Sequence, residues 1–388
     1  MLTGTLECQM LKQLAPETIA AHSLHAIDER TGAIAPPLHM ATSYARDEDY
    51  LLKVPQSYLR YGNSTVTHAE QLLAALDGGP DAAVFSSGMS AVVTLLDTVP
   101  HGAHVVAPCV MYYGTRDWLQ RLERLGRIEL TLFDQADPAA LAHAVRPGVT
   151  NLVWIETPAN PTWDVIDIGA AADTAHSAGA ILVVDGTCSS PAVTRPLEHG
   201  ADYVFHSVTK YLNGHSDVLG GALIPRIDNE RWQEVRTLRN MTGCILSPFD
   251  CWLLIRGMRT LFVRVRAASA SAMRIAHHFE NHPQIEQVLY PGLESHPGHH
   301  IAQRQMDGYG AMMSICVRGG LREAGRVVRA LRVFLPATSL GGVESLAEHR
   351  IIVEGPTSAV PDNLIRLSIG IEAVADLIAD LKQALAQA

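Results

Sequence analysis

The segment Ser207-Val208-Thr209-Lys210-Tyr211-Leu212-Asn213-Gly214-His215-Ser216-Asp217 places a lysine beside two hydroxyl residues and ahead of a glycine turn. The chain has 30 lysines and arginines, only four of them lysine, so lysine is not its ordinary surface cation. A primary amine flanked by hydroxyls suits a Schiff base next to a phosphate. Lys210 would condense with an aldehyde while Ser207 and Thr209 hydrogen-bond the phosphate oxygens. Pyridoxal 5′-phosphate (PLP) carries both groups. Alone, the segment also reads as a strand-end turn with an exposed lysine; other residues tilt the balance toward chemistry.

Phe85-Ser86-Ser87-Gly88-Met89-Ser90 runs from an apolar strand pattern into a helix starting near Gly88. Backbone N–H groups at such a start cradle phosphate, although strand–glycine–helix turns are also common without one. Asp185 closes the apolar run Ile181-Leu182-Val183-Val184. A carboxylate there suits a protonated pyridine nitrogen, the alternative being a helix N-cap. Tyr112 follows a further strand, where its ring can stack on a cofactor and its phenol exchange protons, or where it is simply a core tyrosine. Asn160, in the turn Glu156-Thr157-Pro158-Ala159-Asn160-Pro161-Thr162, suits a contact to a ring hydroxyl or a substrate carboxylate. Arg366 offers a planar fork for a carboxylate, or a surface ion pair.

These residues fall mainly at the ends of buried apolar runs: Ala82–Phe85, Val105–Ala107, Ile128–Leu132, Leu152–Ile155, Ile181–Val184 and Tyr203–Phe205. Helical patterns such as Thr67–Leu76 alternate with them, as a parallel α/β sheet requires, and such sheets bind ligands at the carboxyl ends of their strands. We expect an irregular N-terminal arm over residues 1–60, an α/β cofactor-binding domain over 61–249 and a smaller α+β domain over 250–388. The last would open with one connecting helix from about Asp250 to His278 and include a strand Met312–Val317 and helices Leu321–Leu331 and Val374–Leu385. The arginines of the connecting helix (Arg256, Arg259, Arg264, Arg266, Arg274) are expected in solvent or in ion pairs.

Composition narrows the class. With 47% hydrophobic and 18% charged residues the chain packs a core rather than remaining disordered. A net charge of −10 without a basic cluster argues against nucleic acid as partner. No leader-like start and no long apolar run argue against a membrane. Cys8, Cys109, Cys188, Cys244, Cys251 and Cys316 are scattered, with no C-x-x-C pair, which fits a reduced cytoplasmic enzyme.

In this order the motifs resemble the Cys/Met-metabolism branch of fold-type I PLP enzymes, from about Thr31-Gly32-Ala33 to Ile371-Glu372. That family includes cystathionine γ-synthase, cystathionine γ- and β-lyases and methionine γ-lyase. Ser207–Asp217 is the most specific stretch; Glu156–Thr162, Ser86–Ala91 and Ser339-Leu340-Gly341-Gly342-Val343-Glu344-Ser345-Leu346 support it. The resemblance implies a mostly parallel central sheet with helices on both faces. It implies Lys210 as the Schiff-base lysine, Asp185 on the pyridine nitrogen and Tyr112 on the ring. The phosphate would lie at Gly88, Met89, Ser207 and Thr209. Tyr58 and Arg60 would reach a neighbouring subunit's phosphate, in a homotetramer built as a dimer of dimers. Arg366, Ser339 and Asn160 would bind the substrate carboxylate. His296-Pro297-Gly298-His299-His300 resembles a family loop that carries no metal, so none is expected.

The departures bear on substrate. Ser64 replaces the proline of Asn-Pro-Thr, Tyr113 a glycine, and Gly186 the asparagine after the aspartate. Glu348-His349-Arg350-Ile351-Ile352 replaces a common Glu-His-Pro-Ala-Ser run. Asp117 stands where cystathionine-handling relatives often have arginine, and Thr338 where some have glutamate. Asp117 disfavours a distal carboxylate, although Arg116 is its neighbour, and admits a guanidino end such as canavanine's. Gly114 stands where methionine γ-lyases have a cysteine, which weakens a methionine reading. We expect a PLP-dependent lyase eliminating a γ-substituent from an L-amino acid. The alternatives are γ-replacement of an O-acylhomoserine by a thiol, β-elimination, and a non-catalytic PLP-fold binding protein.

Overall fold

The computed structural model describes residues 14–355 and 360–388. Cys8 and the first residues of the expected N-terminal arm lie outside them. Twelve strands are present among the described residues: β1 (Ala83–Phe85), β2 (Ala103–Pro108), β3 (Ile128–Phe133), β4 (Thr150–Glu156), β5 (Ile181–Asp185), β6 (Tyr203–His206), β7 (Gly221–Pro225), β8 (Ile285–Leu289), β9 (Met312–Val317), β10 (Leu335–Pro336), β11 (Leu346–His349) and β12 (Leu364–Ser368). The fold class is α/β with a mostly parallel central sheet and a second, smaller sheet. No helix among the described residues is long and apolar enough to cross a membrane. The chain divides into two compact units: residues up to Pro100 with Asp202–Phe262, and His101–Ala201 with Val263–Ala388.

In the first unit β7 pairs antiparallel with both β1 and β6. Strict alternation of helix and strand would have made β6 and β7 parallel. A parallel pair needs a crossover, usually helical. The residues from Ser207 to Gly220 instead form turns and irregular backbone with no helix, so the chain returns antiparallel. The helix Ser64–Asp77 is capped by Asn63, whose side-chain oxygen accepts the Thr65 and Val66 amides at 2.9 and 3.4 Å. Ser64 is the first helical residue, a position that favours proline without requiring it, so this departure is structurally mild.

About two turns along, Glu70 meets Arg239 from the helix Glu230–Thr242, and both are buried. The same Glu70 oxygen accepts the Val84 amide at 3.1 Å, and Arg239 donates to the Val84 carbonyl at 3.2 Å. This pair therefore pins the strand that leads into Ser86-Ser87-Gly88. Removing one partner strands a buried charge. Arg239→Met is expected to lower the unfolding free energy by about 3–5 kcal/mol, with much of the loss recovered when Glu70→Gln is added. Denaturant melts of the single and double variants check this.

In the second unit β2, β3, β4 and β5 pair parallel, β2 lying between β3 and β4, and β4 between β2 and β5. The smaller sheet runs β10-β11-β12-β9-β8, antiparallel except for β10 on β11. The helices Leu321–Ala330 and Val374–Leu385 belong to this unit and sit where expected. The expected single helix from Asp250 to His278 is two helices, Pro248–Met258 and Leu261–Phe279. Ser247 caps the first, with Pro248 opening it. It ends where the Thr260 amide and hydroxyl both bond the Gly257 carbonyl, a tight turn that α-helical pairing cannot continue. Of the five arginines expected in solvent or in ion pairs, Arg264 is buried.

Candidate active site

The first unit gathers Gly88, Met89, Ser207, Thr209 and Lys210. Ser87 caps the helix Gly88–Asp97, its hydroxyl accepting the Ser90 amide at 3.0 Å. The Gly88 and Met89 amides, in the first turn, have no acceptor within the helix. Ser207 lies directly against this start: a Cβ on Gly88 would sit 3.5 Å from the Ser207 Oγ and 3.2 Å from the Phe205 ring. A Cβ on Gly221 would come within 2.5 Å of the Ser87 carbonyl oxygen and 2.8 Å of the Gly88 Cα. Only glycine lets β7 pass this close to the cradle.

Lys210 is half-buried in the turn after β6. Its amide donates to the Ser207 carbonyl at 3.1 Å, and its carbonyl accepts the Gly214 amide at 2.8 Å. Asn213 is held from behind: a Cβ on Gly257 would fall 2.2 Å from the Asn213 carbonyl oxygen, so a helical glycine lets the turn seat on the helix Pro248–Met258. The Thr209 hydroxyl accepts the Gly220 amide at 3.0 Å and donates to the Gly220 carbonyl at 3.3 Å. Binding phosphate through Thr209 requires that hydroxyl to turn. Tyr58 is exposed, and Arg60 donates to the Asn240 carbonyl at 2.7 Å while its guanidinium lies over the Tyr61 ring.

The second unit gathers the remaining expected residues, except Asp117, around two carboxylates, Glu156 and Glu348, and one arginine, Arg350, that carry no assigned role in the sequence reading. Glu156 and Asp185 close β4 and β5 as register partners, and both are buried. Glu156 accepts the Tyr112 amide at 2.7 Å and the Asn160 amide at 2.9 Å, which fixes both segments at the carboxyl edge of the sheet. Asp185 accepts the Thr187 amide at 3.0 Å. Burial and the Asp185 charge push the Glu156 carboxyl up to about 8. A carboxyl raised above its unfolded value stabilises the fold fully below that value, and the contribution fades as pH rises through the folded value. The PLP-free protein is therefore expected to lose thermal stability between about pH 5 and about pH 8. Glu156→Gln, which cannot ionise, should flatten that slope, as melting temperatures across the range would show.

Tyr112 precedes the helix Tyr113–Arg124 and is 38% exposed, so its ring is available to a ligand. Burial, then the neighbouring Tyr113 phenol, push its hydroxyl up to about 12, so it stays protonated at neutral pH. The Tyr112 and Tyr113 rings lie 4.9 Å apart. Asp117 is exposed on the same helix, one turn beyond Tyr113.

Arg366 on β12 is 3% exposed. It stands opposite Glu348 on β11 and Ser314 on β9. Ser314 binds the Pro161 carbonyl and the Trp163 indole, both at 2.8 Å, which draws the Asn160 turn toward the arginine. Arg366 donates to Asn160 Oδ1 at 3.3 Å, to the Ser339 carbonyl at 2.8 Å and to Glu348 at 2.9 Å. Ser339 contributes its backbone from a strained φ of 125°. The Arg366 Nε has no hydrogen-bond partner among the described residues. Burial pulls the guanidinium down to about 10, still a cation at neutral pH. Asn160, Ser339 and Arg366 are thus brought together. Glu348 and Arg350 join them, and only the departure from Glu-His-Pro signalled the latter.

The model for Cys/Met metabolism PLP-dependent enzymes matches residues 17–386. The chain belongs to this family. It is 43% identical to cystathionine γ-synthase of Mycobacterium tuberculosis over 376 residues, covering 95% of this chain and 96% of the relative. It is 40% identical to cystathionine γ-lyase of Dictyostelium discoideum, with 95% and 97% covered. Among solved structures, cystathionine γ-synthase of Xanthomonas oryzae pv. oryzae in complex with cystathionine superposes with a TM-score of 0.92 at 39% identity, covering 96% of this chain and 98% of that one. The chain is therefore a PLP-dependent enzyme, and its residues fit the cofactor. The first unit offers a helix start whose first amides have no helical acceptor, with Ser207 against it and Lys210 in the same turn as Ser207; the second offers a buried carboxylate at a strand end for a protonated ring nitrogen. Among the described residues no cluster of three or more histidine, cysteine or acidic side chains is arranged to hold a metal ion.

Proposed function

We propose that this enzyme eliminates a γ-substituent from an L-amino acid. The observation that carries the reading is Arg366: a buried guanidinium, braced by Asn160, Ser339 and Glu348, whose Nε has no hydrogen-bond partner among the described residues. An amino-acid α-carboxylate completes that set.

In this reading Lys210 holds the cofactor, and bound PLP draws electrons away from the substrate's α- and β-carbons. The Gly88 and Met89 amides and the Ser207 hydroxyl bind its phosphate, joined by Thr209 if that hydroxyl turns. Asp185 keeps its ring nitrogen protonated. The Lys210 amine, where it is not engaged with the cofactor, would take the substrate's α-proton and then assist loss of a β-proton. Tyr112, protonated at neutral pH, would lie against the ring and give its proton to the departing group. Asn160, Ser339 and Arg366 hold the carboxylate still while this happens. Tyr58 and Arg60 serve the phosphate of a neighbouring subunit in a dimer of dimers.

The thioether cystathionine is the first substrate to test. Asp117, exposed one turn beyond Tyr113, favours a cationic end and brings canavanine into the panel. A second reading is γ-replacement, supported by the 43% identity to a cystathionine γ-synthase. Mass spectrometry of products from the PLP-loaded enzyme separates them. Cystathionine, methionine, O-acylhomoserines and canavanine are each supplied with and without a thiol. Keto-acid release without thiol supports elimination. Product only from an acylhomoserine plus thiol overturns it in favour of replacement.

A further inference from the structure

Arg350 stands where the family commonly has proline, and it is 2% exposed. It opens the short helix Arg350–Glu354 and donates through Nη1 to Glu348 Oε2. Through Nε, at 3.1 Å, and through Nη2 it donates to Glu354. The Glu348 oxygen it binds is the one that Arg366 reaches at 2.9 Å. Two buried arginines therefore share one carboxylate oxygen. Against burial, which pushes it up, Arg366 and Arg350 together hold the Glu348 carboxyl below the usual glutamate range. The positive charge of Arg350 is also felt at Tyr112 and Glu156, so it acts within the same site.

The consequence concerns competition for Arg366. A glutamate facing Arg366 alone would cancel its charge and occupy its fork, and an incoming carboxylate would have to displace it. Arg350 gives Glu348 a second cation, and Glu354 balances Arg350. Arg366 is left cationic, with an Nε that has no partner among the described residues. We propose that Arg350 is a positioning residue for carboxylate recognition: by sharing Glu348 with Arg366 it keeps Arg366 available to the substrate's α-carboxylate. This rests on the reading of Arg366 as the carboxylate anchor.

The test compares two unreactive probes on the PLP-loaded enzyme: L-norvaline, and n-butylamine, which is the same molecule without its carboxylate. Each is titrated by the change in visible absorption when its amine displaces lysine. Arg350→Gln is expected to weaken norvaline by roughly 10- to 100-fold, the worth of a charged hydrogen bond, and butylamine by no more than about twofold. For substrate, KM rises while kcat changes little. Arg350→Lys restores part of the affinity. Adding Glu348→Gln to Arg350→Gln restores norvaline binding, because the competing charge is gone; a merely structural role predicts a further loss instead. Should Arg350→Gln fail to fold, the double variant and Arg350→Lys carry the comparison. Norvaline affinity unchanged, or both probes weakened alike, overturns the proposal. Arg366→Leu is the separate control. If it too fails to distinguish the probes, the carboxylate-anchor reading falls on its own account.

Discussion

Lys210→Ala is expected to abolish turnover, lowering kcat by at least roughly a thousandfold, because proton transfer by a positioned base alone contributes about 10²–10⁴. The covalent anchorage of the cofactor goes with it. Two measurements separate these losses. Product assays report turnover. Borohydride reduction followed by peptide mapping should fix the cofactor on the peptide containing Ser207–Asp217 in the parent and nowhere in the variant. The Gly88–Ser207 cradle does not depend on the lysine side chain, so the variant should still take up PLP, now removable by dialysis. The scarcity of lysine makes the result decisive. Among the described residues Lys53 and Lys382 are the other lysines, and both are exposed. Retained turnover, or labelling at either of them, would remove Lys210 from its role.

β4 and β5 were legible because each is a short buried apolar run that ends in a residue too polar for its surroundings. Asp185 after Ile181–Val184 is the clearest, and β5 ends on it. The apolar run Leu152–Ile155 likewise leads into Glu156, yet its role as a brace for Tyr112 and Asn160 depends on hydrogen bonds to backbone amides, which no side-chain pattern records. Ser339 shows the same limit. The resemblance implied that it binds substrate, whereas the contact that it makes to Arg366 in the structure is through its carbonyl. The antiparallel β6–β7 pair was missed because alternation of patterns says nothing about a connection that spends its length on turns. The break after Met258 was missed because apolar periodicity continues across it, and only the local bonds of Thr260 end the helix. Arg350 was visible as a departure from a family pattern. Its meaning came from β11 and β12, whose register sets Glu348 opposite Arg366.

That register also predicts what happens when Arg366 is removed. Arg366→Leu deletes one partner of a buried, hydrogen-bonded set, a change that costs about 2–5 kcal/mol where a charge is left uncompensated. Here Glu348 keeps Arg350, so the stability loss should fall at the low end of that range and the variant should fold. Substrate recognition has no such reserve. With Asn160 and the Ser339 carbonyl as the remaining neighbours, a substrate carboxylate meets a weak donor, an acceptor and a glutamate. We expect kcat/KM to fall by roughly 10²–10³, mostly through KM, as loss of the charge-assisted contact to the carboxylate implies. Arg366→Lys should recover only part of this, since an ammonium supplies the charge without the fork. Steady-state kinetics beside denaturant melts distinguish the outcomes. A variant with parental KM would place the carboxylate elsewhere, and one that is unstable at parental PLP content would show that Arg350 alone cannot hold Glu348.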